Sequence, residues 1–433
     1  METTQKIQDK KTNTKLFPIY KMFSWDLLFY YSIIYLFLTQ AKNFSASEVL
    51  LAESFFTASC LLLQIPIGLL VDKIGKKNSL VFANICMCVF ISILLFVNNY
   101  PMLLLANFID AIGYVIKGVC ETNILYDSLP SGEKRGTLYS SVDGIGASRY
   151  YVIDAITSII AGITFTIDPY IPVVLCLIVN IIALILSTRF KHTQSQREEE
   201  NSKETAKQYF KELKEAIKFT FNSKRMLCLM LFFGLMSGLT YNLSTYRSNI
   251  LNSINIPAQY FGIIFAIIQI MAGICSKGQG WLHKRFKNNT LSVLGIPYVA
   301  SCFIIGCLVD SFGESVSNIV VILFILQGAI KGAYNVLIYR YLNNFTNRRI
   351  RVKLATIRNM FFNMISILIS LLGSFLLKVT TSGNTFLIVG GICTVCMVLL
   401  LDYMRGKVGL KPEKYNKEDL KYSSFNEGGN LKW

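Results

Sequence analysis

Long apolar runs separated by short polar stretches set the pattern of this chain. A helix that crosses a bilayer needs about 20 mostly apolar residues. About twelve runs meet that demand, near 18–40, 47–71, 79–98, 101–129, 137–166, 172–189, 225–250, 258–276, 290–309, 316–343, 353–379 and 384–404. Transmembrane strands would alternate apolar and polar positions over about ten residues. Runs such as Val173 to Leu186 and Leu387 to Leu401 do not alternate. The pattern therefore predicts an all-α membrane protein of about twelve transmembrane helices. The first run is too long for a signal-peptide core, carries Asp26 and is followed by no small-residue cleavage site, so it reads as a retained helix.

The longest internal polar stretch, Lys191 to Lys224, divides the spans into six and six. The expected organisation is an N-terminal tail (1–17), a six-helix half (18–190), a linker (191–223), a second six-helix half (224–404) and a polar C-terminal tail (405–433). Within the linker, Ala206, Tyr209, Phe210, Leu213 and Ile217 recur at helical spacing between lysines and glutamates. That spacing predicts an amphipathic helix, either on the inner membrane surface or as a solvated connector.

Charge sharpens this picture. The chain has 433 residues, 53% hydrophobic and 16% charged, with a formal charge of +17. A basic excess can mark a polyanion-binding face, but here it follows the membrane. Lys73, Lys76 and Lys77, then Lys134 and Arg135, then Lys284, Arg285 and Lys287, then Arg348, Arg349, Arg351 and Lys353 all fall in connections on one side. Lys42 and Lys378 are the exceptions on the other. The distribution predicts cytosolic N- and C-termini in a multi-pass protein of the cell membrane, with lipids as neighbours and no nucleic-acid partner.

The 11 cysteines lie within predicted spans, where Cys acts as a small apolar residue, and Cys393-x-x-Cys396 reads as packing. His192 and His283 lie in loops, so no metal site, cofactor or histidine relay is expected in the spans. No nucleophile and base cluster appears at one depth, and the chain is not expected to be an enzyme.

The halves share local sequence. Ile116-Lys117-Gly118 in the fourth span is followed by Leu125, Tyr126 and Leu129; Ile330-Lys331-Gly332 in the tenth is followed by Ile338, Tyr339 and Leu342. Arg149 and Arg358 precede Gly162 and Gly373 in the fifth and eleventh spans. Such repeats are a common plan of secondary transporters. After the second span the chain reads Gly68-Leu69-Leu70-Val71-Asp72-Lys73-Ile74-Gly75-Lys76-Lys77. This loop resembles the G-x-L-x-D-x-x-G-x-[KR]-[KR] signature of the major facilitator superfamily. Helix count, linker and half repeat extend the resemblance over nearly the whole chain. Pro66, Gly68, Glu121 and Leu125-Tyr126-Asp127-Ser128-Leu129 look like a drug-efflux-like bacterial branch.

The resemblance implies the superfamily fold, alternating access between the halves, and a cytosolic gate containing Gly68, Asp72, Gly75, Lys76 and Asp127. It also has departures. The matching loop of the second half, Gly280-Trp281-Leu282-His283-Lys284-Arg285, lacks the acid; Asn107 stands where many proton-coupled members carry Arg; and Gly144-Ile145-Gly146-Ala147-Ser148-Arg149 lacks the Gly-Pro motif of drug/proton antiporters.

A charge near the bilayer centre costs at least about 2.5–3.5 kcal/mol on insertion scales, so it should face a cavity or a partner. The third, sixth and twelfth spans carry none, whereas Asp26, Glu53, Asp110, Lys117, Glu121, Asp143, Arg149, Asp154, Arg247, Lys331, Arg340 and Arg358 concentrate in others. The resemblance makes the first, fourth, seventh and tenth spans cavity-lining. Repeat-related Lys117 and Lys331, with Arg149, Arg358, Asp26 and Tyr334, are the expected substrate contacts for an anionic or zwitterionic solute. Internal pairing of Lys117 with Glu121, or of Lys331 with Asp26, is the competing reading. Glu121, Asp110 and Asp154 are candidates for proton coupling. Trp25, Phe29, Tyr30, Tyr150 and Tyr241 are further candidate lining residues.

The expectation is a monomeric secondary active transporter of a small organic solute, coupled to protons or another ion. Efflux of amphipathic drugs by proton antiport and a membrane sensor without turnover are the alternatives.

Overall fold

The computed structural model describes residues 2–130, 135–192, 202–286, 289–345 and 348–407. Lys134, Lys287, part of the linker and the tail beyond 407 lie outside the described residues, as do the side chains of Asp72, Arg135, Ala206, Tyr209, His283, Tyr339, Arg340, Leu342, Arg348, Arg349, Arg351 and Lys353. Among the described residues the regular structure is helical. The principal elements are α1 (Glu2–Ser24), α2 (Ala46–Ile74), α3 (Lys76–Phe96), α4 (Tyr100–Ser128), α5 (Arg135–Ile167), α6 (Tyr170–Thr188), α7 (Ser202–Asn222), α8 (Lys224–Ser253), α9 (Ala258–Phe286), α10 (Thr290–Phe312), α11 (Ser317–Phe345), α12 (Arg348–Val379) and α13 (Ser382–Lys407). Among the described residues, ten stretches are long and apolar enough to cross a membrane, and one of them, Thr290–Asn335, carries all of α10 and much of α11.

Local chemistry fixes the ends. Ser45 and Glu48 form a capping box at the start of α2, with Ser45 Oγ accepting from Glu48 N at 3.2 Å and Glu48 Oε2 accepting from Ser45 N at 2.8 Å. Asn99 caps α4 by accepting from Met102 N at 3.0 Å. Gly75 alone separates α2 from α3 and has φ of +91°, a conformation that favours glycine. Lys42, an exception to the basic-residue pattern, donates to the Leu95 carbonyl in the last turn of α3 at 2.7 Å, where a cation suits the helix dipole.

The first predicted span is not one helix. α1 stops at Ser24, residues 25–33 form bends and turns, and a short helix resumes at Ile34–Leu36 before a π-helical turn at Phe37–Ala41. Asp26 supplies the physical reason. Its Oδ1 accepts from Leu27 N at 3.0 Å and from the Tyr31 hydroxyl at 2.7 Å, giving the backbone an alternative to helix continuation. Phe29 follows at φ of +62°.

The amphipathic stripe of α7 is also rotated from expectation. Leu213 is buried and Ile217 half-buried, but Phe210 is exposed, and the buried face continues through Ala216, Phe219 and Thr220.

The chain divides into two compact units. Residues 1–206 with 257–266 form the first, and 207–256 with 267–433 the second. In the first, α1 packs on α4, α5 and α6, while α4 also packs on α2 and α3. Its core gathers Phe17, Tyr20, Ile67, Leu80, Ile116 and Leu125. Gly262 at the start of α9 sits against the Ser158 carbonyl of α5. In the second unit α8 packs on α12 and α13, and α10 on α13. Gly306 meets the backbone of Leu387, and Gly234 lies against Phe361 and Ile365, so a side chain at either glycine would collide with its neighbours.

Candidate functional site

The break in α1 organises the polar interior of the first unit. A helix end leaves its last carbonyls without intrahelical donors, and Lys117 of α4 answers one of them: its ammonium donates to the Ser24 carbonyl. Lys117 is 7% exposed, and a buried cation at a helix C-terminus is favoured by the dipole. The Ser24 hydroxyl donates to Glu121 Oε1 at 3.3 Å, one turn beyond Lys117. Lys117 and Glu121 thus meet on the same residue of α1, and the expected pairing between them is bridged by Ser24. Lys21, one turn before the break, pairs with Asp143 Oδ1 of α5 at 2.5 Å and lies 4.5 Å from the Trp25 ring centroid. Gly146 makes room for it, since a Cβ there would stand 3.0 Å from the stem of Lys21. Both Lys21 and Lys117 are within electrostatic range of Glu121.

A second polar group surrounds the turns of residues 25–33. Asp110 of α4 is within electrostatic range of Asp26, of Glu53 on α2 and of Lys117. Tyr30 lies within range of all three acids. Trp25 packs edge-on against Tyr150 and Tyr151 of α5, at 5.1 and 5.2 Å between ring centroids. Asp154 is buried one turn further along α5, near Tyr150. Arg149 lies on α5 with its side chain exposed.

At one end of this unit, Lys76 Nζ lies 2.8 Å from Asp127 Oδ2, tying the start of α3 to the last turn of α4. Gly68 has open space where its Cβ would be, and Asp72 belongs to the last turn of α2.

In the second unit the expected contacts are placed differently. Tyr334 is completely buried; its hydroxyl donates to the Phe233 carbonyl at 3.1 Å and bonds Ser237 Oγ at 2.9 Å. Lys331 is half-buried on α11. Arg358 bonds the Asn359 side chain at 2.8 and 3.3 Å. Tyr241 stacks edge-on with Phe362. Arg247, given no role from the sequence, is 7% exposed with its guanidinium 5.4 Å from the Phe324 ring centroid.

The family model described as Major Facilitator Superfamily matches residues 16–313 and 298–426. The chain belongs to that superfamily. No curated protein matches the sequence. Among solved structures, the nucleoside transporter NupG is 12% identical with a TM-score of 0.70, covering 92% of this chain and 99% of its own. A D-xylose-proton symporter is 12% identical with a TM-score of 0.66, covering 91% and 96%. The inward-open xylose transporter XylE from E. coli is 13% identical with a TM-score of 0.61, covering 91% and 94%. At these identities the likeness speaks for the fold. Membership of the superfamily makes the chain a multi-pass membrane protein and a secondary transporter of a small molecule, not an enzyme.

Two parts of the first-unit network had no sequence forecast. Lys21 stands near the start of the first run and reads as a flanking charge. Ser24 looks like any small span residue. Asp26 and Asp143 are visible as charges in apolar runs, but the pairing of Asp143 with Lys21 spans 122 residues and leaves no local mark in the sequence.

Proposed function

We propose that this superfamily member moves a small organic solute bearing an anionic group, by alternating access of its two six-helix halves, with proton coupling centred on the break in α1. The observation that carries the reading is Lys117: a buried ammonium held by a helix-end carbonyl, whose residue also bonds Glu121. A carboxylate or phosphate arriving at Lys117 offers it a stronger, charge-assisted partner than a carbonyl. Lys117 is also the positive charge beside Glu121, so drawing it toward solute changes how readily Glu121 holds a proton. Asp110 and Asp154 are the further acids in this scheme, and Lys331, Arg149, Arg358 and Asp26 complete the proposed solute contacts. The engaged hydroxyl of Tyr334 favours packing over solute contact for that residue. The Lys76–Asp127 pair supports a gate formed with Gly68, Asp72 and Gly75. The basic connections support cytosolic termini in the cell membrane.

One observation favours a second reading, efflux of amphipathic cations by proton antiport. Asp26, Glu53 and Asp110 are all within electrostatic range of Tyr30, and Asp26 is also within range of Tyr150 in the ring cluster of Trp25, Tyr150 and Tyr151, a combination that suits an aromatic or cationic ligand. Counterflow in proteoliposomes separates the two, using organic anions and cationic drugs with and without a pH gradient. Anion exchange that responds to the gradient supports the first reading; exchange of cationic drugs alone replaces it with the second.

A further inference from the structure

We infer that the outward face of α7 is a docking surface for anionic phospholipid headgroups. Only Ser223 stands between Asn222 at the end of α7 and Lys224 at the start of α8. Ser223 Oγ accepts from Met226 N at 3.1 Å, capping α8. Since Lys224–Ser253 is a candidate membrane span, this tight junction holds the last turns of α7 at the level where the chain enters the bilayer.

The burial pattern then says what faces the lipid. Leu213, Ala216, Phe219 and Thr220 are buried, while Phe210, Lys211, Lys214, Lys218 and Phe221 are exposed. At 3.6 residues per turn the exposed five occupy one arc of roughly 100°. Glu215 lies at its flank and Glu212 on the covered side, both half-buried, so the arc itself carries three ammonium groups. Phe210 is 46% and Phe221 59% exposed. Two apolar rings interleaved with lysines, on a helix anchored at a membrane boundary, match an interfacial helix: the rings enter the acyl boundary and the ammonium groups meet phosphates. A zwitterionic surface would satisfy the rings but not the charge. An acidic bilayer adds about fivefold in affinity per lysine.

The test uses full-length protein carrying Phe210→Trp, reconstituted in mixed phosphatidylglycerol and phosphatidylcholine bilayers with bromine on the acyl chains of one lipid or the other. The signal is read above the native tryptophans of the unsubstituted protein. Quenching should be about threefold stronger when bromine is on phosphatidylglycerol. Adding Lys211→Gln, Lys214→Gln and Lys218→Gln should erase that preference. Equal quenching by both lipids, no quenching above background, or a preference that survives the triple substitution would each overturn the proposal. Phe221→Trp provides a second reporter if the first variant does not reconstitute as a single species.

Discussion

The helices that open the two halves are held by different chemistry. α1 adds charge to the apolar packing of Phe17 and Tyr20: Lys21 pairs with Asp143, and Lys117 and Glu121 both bond Ser24. α8 shows close packing and neutral hydrogen bonds to α12. Asn242 donates to the Ser366 carbonyl and hydroxyl at 3.2 and 2.8 Å, Tyr246 donates to the Ile369 carbonyl at 3.4 Å, and Gly234 and Gly238 let α12 approach. Even the buried Arg247 of α8 lies over a ring. Charged contacts change with protonation and with an arriving ion; neutral contacts and glycine surfaces respond mainly to shape. The contrast sets charge-sensitive contacts around α1 against size-sensitive packing around α8.

The largest expected stability effect comes from unpairing Lys21 and Asp143. Lys21→Ala should lower stability by about 3 kcal/mol, the low end for a buried pair because Asp143 keeps 30% exposure. The doubly neutral Lys21→Met, Asp143→Leu chain should recover most of that loss in thermal unfolding. A double variant no better than the single would mean that charge pairing does not hold α1. Next in size is Gly306→Ala in the second unit, expected to cost about 2 kcal/mol because its Cβ collides with the Leu387 backbone. Gly146→Ala in the first unit should cost less, since its nearest atoms, on Lys21, stand 3.0 Å away, whereas a Cβ at Gly306 falls closer to the Leu387 backbone. Reversal of that order would break the contrast. Smallest is the Lys76–Asp127 pair, with side chains 20% and 19% exposed. Asp127→Ala should cost about 1 kcal/mol, because the long stem of Lys76 at a helix end can carry its freed ammonium to water, while increasing cysteine-labelling access at the adjoining helix ends, and exchanging the two residues should restore the wild-type labelling pattern.

Much of this architecture is legible in the sequence because bilayer physics is severe. The apolar runs, the helical class and the superfamily all follow from length, polarity and one signature loop. The break in α1 is not legible, because a single Asp in an apolar run is compatible with an intact helix until Tyr31 and Leu27 N are seen sharing its carboxylate. The helical spacing in the linker puts Phe210 and Leu213 on one stripe, but it cannot say which flank of that stripe the protein covers; the structure buries Leu213 and leaves Phe210 exposed. Lys117 stands out as a charge in a span, and the sequence offers Glu121 as its internal partner. A backbone carbonyl at a helix end leaves no mark in sequence.

The most direct test of the α1 break as the coupling centre is counterflow and proton flux measured together in proteoliposomes for wild type, Lys117→Ala, Lys117→Arg and Glu121→Gln. Lys117→Ala should lose organic-anion exchange by at least about tenfold, the effect of one charge-assisted contact, with partial recovery in Lys117→Arg. Glu121→Gln should keep exchange but lose its response to a pH gradient. Undiminished exchange by Lys117→Ala together with intact proton flux in Glu121→Gln would contradict the assignment.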